Sequence, residues 1–281
     1  MDRFLFENFV FELEDETMDN SLLLFANLAD DKVEKEGNHK VTFNYYPQEE
    51  KRLQIVVEGT KNGDKVGLNN FKIHHSSEDV WRCKIIFPLS EHENCYMVSR
   101  EDGTGGIVIR FVNEQVLDKI EAGDIVEAQV VGMAIAIDIF ENEEEYQKNV
   151  PEGKDGKKTF LADGTILPAN LLINNAANLS EEERNSKDHS FDNLVDFKGT
   201  IKTVWKYPLR MYDMDLNNYY IAAIDTEFGE TLKIIIPTPM FPKNLKGFGA
   251  GNIITGKMLI SGDLCIDEYE KYSKKIIKNE N

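Results

Sequence analysis

The chain contains two stretches with the same order of β-rich motifs, and this duplication constrains its fold most strongly. Each stretch runs from a tyrosine-containing strand through a glycine turn into an apolar strand, then through an Ala-Gly-Asp or Ala-Gly-Asn turn into a last apolar strand. The motifs of the first copy are residues 96–98, 102–106, 107–111 and 122–126. The motifs of the second copy are residues 220–221, 227–230, 232–236 and 250–254.

Both copies end in the same way. An apolar run reaches an aspartate, Asp138 or Asp267, and a charged stretch that contains tyrosine follows it. This stretch is residues 143–148 in the first copy and residues 268–272 in the second. The order of motifs therefore predicts two related structural units.

Short strands separated by glycine turns resemble the OB-fold, a small Greek-key barrel. The matching features are the opening Gly199-Thr200-Ile201, the hairpin that contains Gly229 and the closing residues 251–259. The resemblance covers residues 193–268 and, less completely, residues 80–140. It implies a mainly β fold of two related Greek-key or OB-like barrels or sandwiches with a few short helices. It also implies that one face of each barrel and its loops contact a ligand.

Composition sets the expected domains and compartment. With 281 residues and 41% hydrophobic residues, the chain is long enough for two folded domains. We expect an N-terminal β-rich domain at 1–140 with the first copy at 80–140, an acidic connector rich in loops at 141–192, and an OB-like domain at 193–281. Acidic residues interrupt the apolar N-terminus, which indicates neither a signal peptide nor a membrane span. Three cysteines without a framework spacing are typical of a reduced, cytoplasmic protein.

A basic strip is the main candidate site. Residues of even number in an extended strand would place Lys198, Lys202, Lys206 and Arg210 on one face, with Trp205 and Tyr207 on the other. Such a strip could bind single-stranded nucleic acid through phosphate contacts and base stacking. The alternative is a solvated strand face whose lysines pair with carboxylates, with the aromatic rings in the core.

Other patterns give weaker hypotheses. His92 and Cys95 have a short ligand spacing, but the paired cysteines of structural zinc sites are absent, so we predict no metal and no cofactor. The glycines at 103–106 precede a strand rather than a helix, which indicates a hairpin turn and not a phosphate loop. No catalytic motif accompanies the repeat, so an enzyme is not supported.

The net charge of −18 selects among the possible partners. It slows the approach of polyanions and of anionic membranes, and it favours basic protein surfaces. We therefore expect a binding or scaffolding protein that engages a protein partner or a second copy of itself. Three alternatives stay open: single-stranded nucleic-acid binding by the second copy, an acidic mimic of nucleic acid that inhibits a nucleic-acid-binding protein, and an enzyme with a site between the two repeats.

Overall fold

A computed structural model describes fifteen stretches of the chain. They are residues 31–34, 40–45, 53–62, 65–75, 79–89, 94–112, 117, 120–150, 158, 160–168, 193–207, 210–211, 214–215, 219–241 and 247–265. The predicted mainly β fold is confirmed in these residues. Of the predicted sites, His92 lies outside them, as do residues 169–192 of the predicted connector.

The described elements are numbered in chain order. The strands are β1 (Asp31–Glu34), β2 (Lys40–Tyr45), β3 (Leu53–Asn62), β4 (Lys65–His75), β5 (Val80–Pro88), β6 (Cys95–Arg100), β7 (Ile107–Phe111), β8 (Ile125–Phe140), β9 (Ile166–Pro168), β10 (Leu194–Tyr207), β11 (Arg210–Met211), β12 (Met214–Asp215), β13 (Tyr219–Asp225), β14 (Thr231–Pro237) and β15 (Ile253–Leu264). Helix α1 spans Glu143–Asn149, and a 3-10 helix spans Thr238–Met240.

The chain divides into two compact units. The first unit comprises residues 1–76, 206–220 and 237–240, and the second comprises residues 77–205, 221–236 and 241–281. These divisions differ from the boundaries expected near residues 140 and 192. Most of both predicted copies lies in the second unit.

The first unit contains a four-stranded antiparallel sheet in the order β1-β2-β3-β4. Val41 of β2 and Val56 of β3 are buried. Val41 pairs with Gly59 and Asn44 pairs with Val56, so the two valine side chains lie on opposite faces of this sheet. The same unit contains the short antiparallel pair β11 and β12.

The second unit is built on a nine-stranded sheet with the order β13-β14-β8-β5-β6-β7-β15-β10-β9. Two further pairings, β13 with β10 and β8 with β15, join strands that are not neighbours in this order. The pairings therefore form two closed circuits of five strands. One circuit is β5-β6-β7-β15-β8, and the other is β10-β13-β14-β8-β15, so both contain the long strands β8 and β15.

The two predicted copies contribute equivalent pairings to these circuits. Strand β7 of the first copy pairs in parallel with β15 of the second, and β14 of the second copy pairs in parallel with β8 of the first. The long strands β8 and β15 run antiparallel to each other. Each copy therefore completes a circuit with the last strand of the other copy.

The Ala-Gly turns before β8 and β15 have the same hydrogen bonds. In the first, the side chain of Asp124 accepts from the Glu121 amide at 2.9 Å; in the second, Asn252 accepts from the Gly249 amide at 2.9 Å. Both turns contain a glycine in the left-handed region, Gly123 at φ 99° and Gly251 at φ 90°, where a side chain would be strained.

Each of these turns is also fixed to the strand that precedes its copy. The Gly123 amide donates to the Ile85 carbonyl of β5, and the Ile85 amide donates to the Asp124 carbonyl, both at 2.8 Å. Ile201 of β10 exchanges the same two bonds, also at 2.8 Å, with Gly251 and Asn252. β5 and β10 therefore occupy corresponding places in the two circuits.

The beginning of the predicted connector, residues 141–150, contains a helix. Asn142 caps α1 by accepting from the Glu145 amide, and three glutamates occupy the first turn, where the helix dipole favours negative charge. Tyr146 of α1 is buried with Phe140, Val150 and Ile253. The acidic run therefore forms the first turn of a helix, and the buried Tyr146 ring packs this helix on the sheet.

Candidate functional sites on strands β5 and β10

Lys198, the first residue of the predicted basic strip, lies in the interior. It is only 2% exposed. Its Nζ donates to both carboxylate oxygens of Glu143, at 2.9 and 2.7 Å, and lies 4.2 Å from the ring centroid of Tyr146. Helix α1 thus supplies both an opposite charge and an aromatic face, so the ammonium of Lys198 is not available on an exposed strip.

The Tyr146 ring that covers Lys198 is held from several sides. Phe140 meets it edge to face with the centroids 5.5 Å apart, and Phe160 does so at 6.2 Å. The Tyr146 hydroxyl accepts a hydrogen bond from the Leu161 amide at 2.9 Å. These contacts fix the ring in the orientation that places its face against the Lys198 ammonium.

Further along β10, the side chains of the strip are more exposed. Lys202 forms an ion pair with Asp225, and each side chain is more than half exposed. Trp205 is 41% exposed, so this ring is not in the core. Lys233 lies with its Nζ 5.9 Å from the Trp205 ring centroid and 3.0 Å from a carboxylate oxygen of Asp79.

The last part of the strip belongs to the first unit. Lys206 has its Nζ 5.7 Å from the ring centroid of Tyr220. Tyr207 stacks on Tyr219, with the centroids 5.4 Å apart and the planes at 13°. Arg210 is the first residue of β11, where its backbone pairs with Asp215.

Strand β5 carries an exposed face that combines cations with apolar side chains. Arg82 and Lys84 alternate along β5 with the buried Trp81, Cys83 and Ile85. Four large apolar side chains on β5 and at the start of β8 are each more than a third exposed, namely Val80, Ile86, Phe87 and Ile125. We call this surface the Arg82 face.

Arg82 occupies the position in β5 that Lys198 occupies in β10. Each lies three residues before the isoleucine that exchanges hydrogen bonds with the Ala-Gly turn. Each also lies opposite a long strand, Arg82 opposite Glu127 of β8 and Lys198 opposite Thr255 of β15. Unlike the Lys198 side chain, the Arg82 side chain is 46% exposed, at 3.4 Å from Glu101.

A pocket of about 320 Å³ opens beside Arg82. Its lining residues are Trp81, Arg82, Cys83, Arg100, Glu101, Asp102, Phe228 and Glu230. The rings of Trp81 and Phe228 stack with centroids 5.6 Å apart, and the Trp81 indole donates to the Thr231 carbonyl at 3.0 Å. The pocket therefore offers two guanidinium groups next to a rigid aromatic pair.

The titratable groups of this pocket argue against nucleophilic chemistry. Burial, with a smaller contribution from the charge of Glu230, raises the pKa of the Cys83 thiol to about 12. A neutral thiol is a poor nucleophile. Hydrogen bonds from the Thr104 hydroxyl and amide lower the pKa of Asp102, so this exposed carboxylate is suited to charge pairing.

Of the two residues with a short zinc-ligand spacing, Cys95 lies within the described part of the chain. Cys95 is buried and its Sγ accepts from Arg110 Nε at 3.5 Å. Within the described stretches, no three His, Cys, Asp or Glu side chains are grouped to hold a metal ion.

Sequence reasoning identified β5 as a strand but missed the Arg82 face. The register between β5 and β6 shifts between Ile85 and Phe87. Such a bulge interrupts simple alternation, so parity alone does not predict that Ile86 and Phe87 are both exposed. The usable signal is that Arg82 and Lys198 each lie three residues before an isoleucine, Ile85 or Ile201, in a strand that opens its copy.

No helix among the described residues is long and apolar enough to cross a membrane. The chain matches no protein-family model, no curated protein sequence and no solved structure.

Proposed function

We propose that this protein is a binding or scaffolding module composed of two related OB-like barrels that exchange their last strands. Two five-stranded circuits, the reciprocal parallel pairings and the equal hydrogen bonds of the Ala-Gly turns support this architecture. An OB-fold uses one face and its loops for ligands. The proposed binding surface is the Arg82 face, which combines cations with exposed apolar side chains.

The observation that carries the proposal is the contrast in cover between two corresponding strand faces. The β10 face is closed by α1, whereas the β5 face leaves Val80, Ile86, Phe87 and Ile125 each more than a third exposed. Apolar side chains grouped next to a charged group are typical of an interaction surface.

Helix α1 also indicates the chemistry of the partner. On β10 it presents a carboxylate to Lys198 and an aromatic ring beside it. Both N–H arms of the Arg82 guanidinium can donate hydrogen bonds to one carboxylate, and an aromatic ring can pack against the exposed apolar side chains nearby. The proposed partner is therefore a protein segment that presents a carboxylate and an aromatic ring at helical spacing.

A labelled peptide tests this function directly. The probe has the sequence of residues 142–150, which contains the three glutamates and the tyrosine of α1, and its fluorescence anisotropy is measured against the full chain. We expect saturable binding that weakens with added salt, because exposed charges are screened. Arg82→Glu and Ile86→Asp should each weaken it about tenfold or more.

Matched controls separate the Arg82 face from general charge effects. Lys202→Glu changes an exposed cation of β10 and should leave binding unchanged. A peptide with glutamines in place of the three glutamates should bind less well. Equal binding by Arg82→Glu and the unmodified chain would contradict the proposal. It would also be contradicted if the chain bound a second copy of itself but not the peptide.

Single-stranded nucleic-acid binding is the second candidate function. It is favoured by the exposed Trp205 and its neighbour Lys233, and by the tyrosines next to Lys206. Stacking of bases on aromatic rings contributes about 1–3 kcal/mol per base. The pairing of Lys202 with Asp225 and the burial of Lys198 reduce the number of cations open to phosphates.

Anisotropy with labelled single-stranded DNA and RNA tests this candidate at low and physiological salt. If the strip binds, the double substitution of Lys202 and Lys206 by Glu should abolish the binding while the thermal transition stays in place. Trp205→Ala should weaken it as well. Unchanged affinity in the double variant would exclude the strip.

A further inference from the structure

A cavity of about 500 Å³ lies beside the second Ala-Gly turn. Its lining residues are Glu141, Gly247, Phe248, Gly249 and Asn252, and none of them belongs to the Arg82 face or to the basic strip. The volume is in the range of small-ligand sites, which is roughly 300–1,000 Å³. The cavity therefore has room for a ligand that the proposed function does not use.

The ladder between β8 and β15 places the two sides of this cavity next to each other. One end of the ladder joins Phe140, the last residue of β8, to Ile253, the first residue of β15. Glu141 follows Phe140 and Asn252 precedes Ile253, so these two lining residues continue the same ladder. The Asn252 side-chain amide donates to the Glu141 carbonyl at 3.5 Å, which joins the two sides.

Glu141 is exposed, and the contacts that fix its position are made by its backbone. Its amide donates to a carboxylate oxygen of Glu145, and its carbonyl accepts from Asn252. None of the ion pairs between described residues involves the Glu141 carboxylate. Among the lining residues, all of which are described, there is no lysine or arginine. The cavity thus has a negative charge that a ligand can balance.

Phe248 supplies an aromatic ring to the same cavity. Its ring meets the Phe241 ring at 75° with the centroids 4.7 Å apart, which is an edge-to-face contact. Such a contact favours one orientation of the ring. Phe248 stays partly exposed in this arrangement. The cavity therefore combines a carboxylate with an oriented aromatic ring.

The same combination holds two lysines elsewhere in this unit. The Lys198 ammonium lies 2.7 Å from a Glu143 carboxylate oxygen and 4.2 Å from the ring centroid of Tyr146. The Lys233 ammonium lies 3.0 Å from an aspartate and 5.9 Å from the ring centroid of Trp205. Each ammonium obtains an opposite charge and the negative face of a ring. This fold thus holds ammonium groups with a carboxylate and an aromatic ring.

We propose that the cavity binds an alkylammonium group, as carried by a lysine side chain or by a polyamine. The Glu141 carboxylate accepts hydrogen bonds from the ammonium, and the Phe248 ring attracts its charge. The net charge of −18 raises the local concentration of such cations. The site and the charge of its ligand differ from those of the proposed function, so neither proposal depends on the other.

An NMR titration of the full chain tests the site. The probe is lysine blocked at both ends, N-acetyl-lysine N-methylamide, and the readout is the amide shifts of Gly247, Gly249 and Asn252. We expect saturable binding that weakens with added salt, because exposed charges are screened. The norleucine analogue has the same carbon stem without the ammonium and should give no saturable shift. Equal shifts from both probes overturn the proposal.

Two substitutions test the groups that hold the ammonium. Glu141→Gln removes the charge and should raise the dissociation constant about three- to fivefold. Phe248→Leu removes the ring, keeps an apolar side chain and should raise the constant about two- to fivefold. Glu121→Gln removes an exposed glutamate at the first Ala-Gly turn, so it is the matched control and should leave the constant unchanged. Equal affinity in Glu141→Gln and the unmodified chain overturns the proposal.

Filling the cavity gives an independent test. A Cβ on Gly247 would meet no atom within 4 Å, and the φ of Gly247 lies outside the left-handed region. Gly247→Leu should therefore leave the thermal transition in place, and its side chain should raise the dissociation constant about tenfold or more by blocking the cavity. Unchanged affinity with a retained transition overturns the proposal. If this variant fails to fold, the result for Glu141→Gln decides.

Two further probes distinguish the sources of the ammonium group. Spermidine and a blocked trilysine peptide each carry three positive charges, so their comparison does not depend on total charge. Tighter binding of the peptide identifies a protein side chain as the ligand, and tighter binding of spermidine identifies a polyamine. Either result supports the ammonium site, whereas saturable binding of neither probe overturns it.

Discussion

The outer faces of β5 and β10 have a cation at the same position and differ in what covers it. Lys198 of β10 is 2% exposed beneath α1, whereas the Arg82 side chain of β5 is 46% exposed beside Glu101. Because the strands and turns around both cations are alike, the difference arises from the cover. Helix α1 buries a lysine that lies in the middle of a strand.

The comparison also shows what a cover must provide. Removing an ammonium from water costs several kcal/mol unless a paired charge and hydrogen bonds replace the lost hydration. Helix α1 provides two carboxylate oxygens within 2.9 Å and an aromatic face at 4.2 Å. A segment that covers Arg82 must bring similar groups, which limits the chemistry of its possible occupants.

Loss of the Tyr146 ring should have the largest effect on the covered face. Tyr146→Ala removes a buried aromatic side chain and leaves Lys198 without its ring, so we expect the free energy of unfolding to fall by about 3–5 kcal/mol. Urea denaturation measures this change. Arg82→Ala on the exposed face of β5 should cost less than about 1 kcal/mol, because exposed ion pairs contribute little.

Tyr146→Phe is the matched control for the ring. It keeps the packing and the aromatic face and removes only the hydrogen bond from the Leu161 amide, so the loss should be about 1 kcal/mol. If Tyr146→Ala and Arg82→Ala proved equally mild, the cover over Lys198 would not be a stabilising contact and the comparison would fail.

The two ion pairs give the next largest contrast. Glu143→Gln leaves the buried Lys198 ammonium without its carboxylate, and we expect a loss of about 1–3 kcal/mol, reduced because Glu143 itself is half exposed. Glu101→Gln breaks the exposed pair with Arg82 and should change stability by less than about 0.5 kcal/mol. Chemical denaturation of both variants checks the difference.

A second substitution sharpens that result. In Lys198→Met the buried cation is absent, so adding Glu143→Gln should cost much less than it does in the unmodified chain. Additive losses from the two substitutions would mean that the pair is not coupled, despite its short distances.

The two Ala-Gly turns should contribute equally to the free energy of unfolding. Asp124→Ala and Asn252→Ala each remove one side-chain hydrogen bond to a turn amide at 2.9 Å. We expect each to lower the free energy of unfolding by about 1 kcal/mol, and the two losses to agree within about 0.5 kcal/mol. A large difference between them would show that the turns are alike in geometry but not in their contribution to stability.

The order of motifs predicted much of what the structure shows of the strands. Glycine turns and apolar runs placed β7, β8, β14 and β15 correctly, because a turn glycine and an alternating run are local properties. The exchange of strands between the circuits could not be predicted, because either copy's long strand satisfies the same local pattern. Only the ladder decides which partner β7 and β14 take.

The candidate site was harder to predict for a similar reason. Strand parity places Lys198 and Lys202 on one face, yet α1 covers the first and leaves the second exposed. Cover by an element from elsewhere in the chain is not a property of the strand sequence. The sequence of the acidic run at 143–145 does not indicate that it pairs with Lys198, since such runs are usually solvated.

The smallest expected effect is a pH dependence that arises in the glycine hairpin turns. In the first copy, the Gly103 amide donates to the Arg100 carbonyl and Asp102 accepts from the Thr104 hydroxyl at 2.6 Å. In the second copy, Thr226 instead donates its hydroxyl to the Glu230 carbonyl. The first turn therefore contains a carboxylate whose pKa these hydrogen bonds lower.

The lowered pKa of Asp102 predicts a pH dependence of the first hairpin. Because the pKa of Asp102 is lower in the folded than in the unfolded chain, its contribution is present above the unfolded pKa and is lost as pH falls through the folded pKa. Thr104→Val removes the larger cause and should move the carboxyl pKa part of the way back to its ordinary value, as followed by carbon NMR. Thr226→Val should leave the pKa of Asp102 unchanged, and a shift in that variant would mean that Asp102 senses the second hairpin as well.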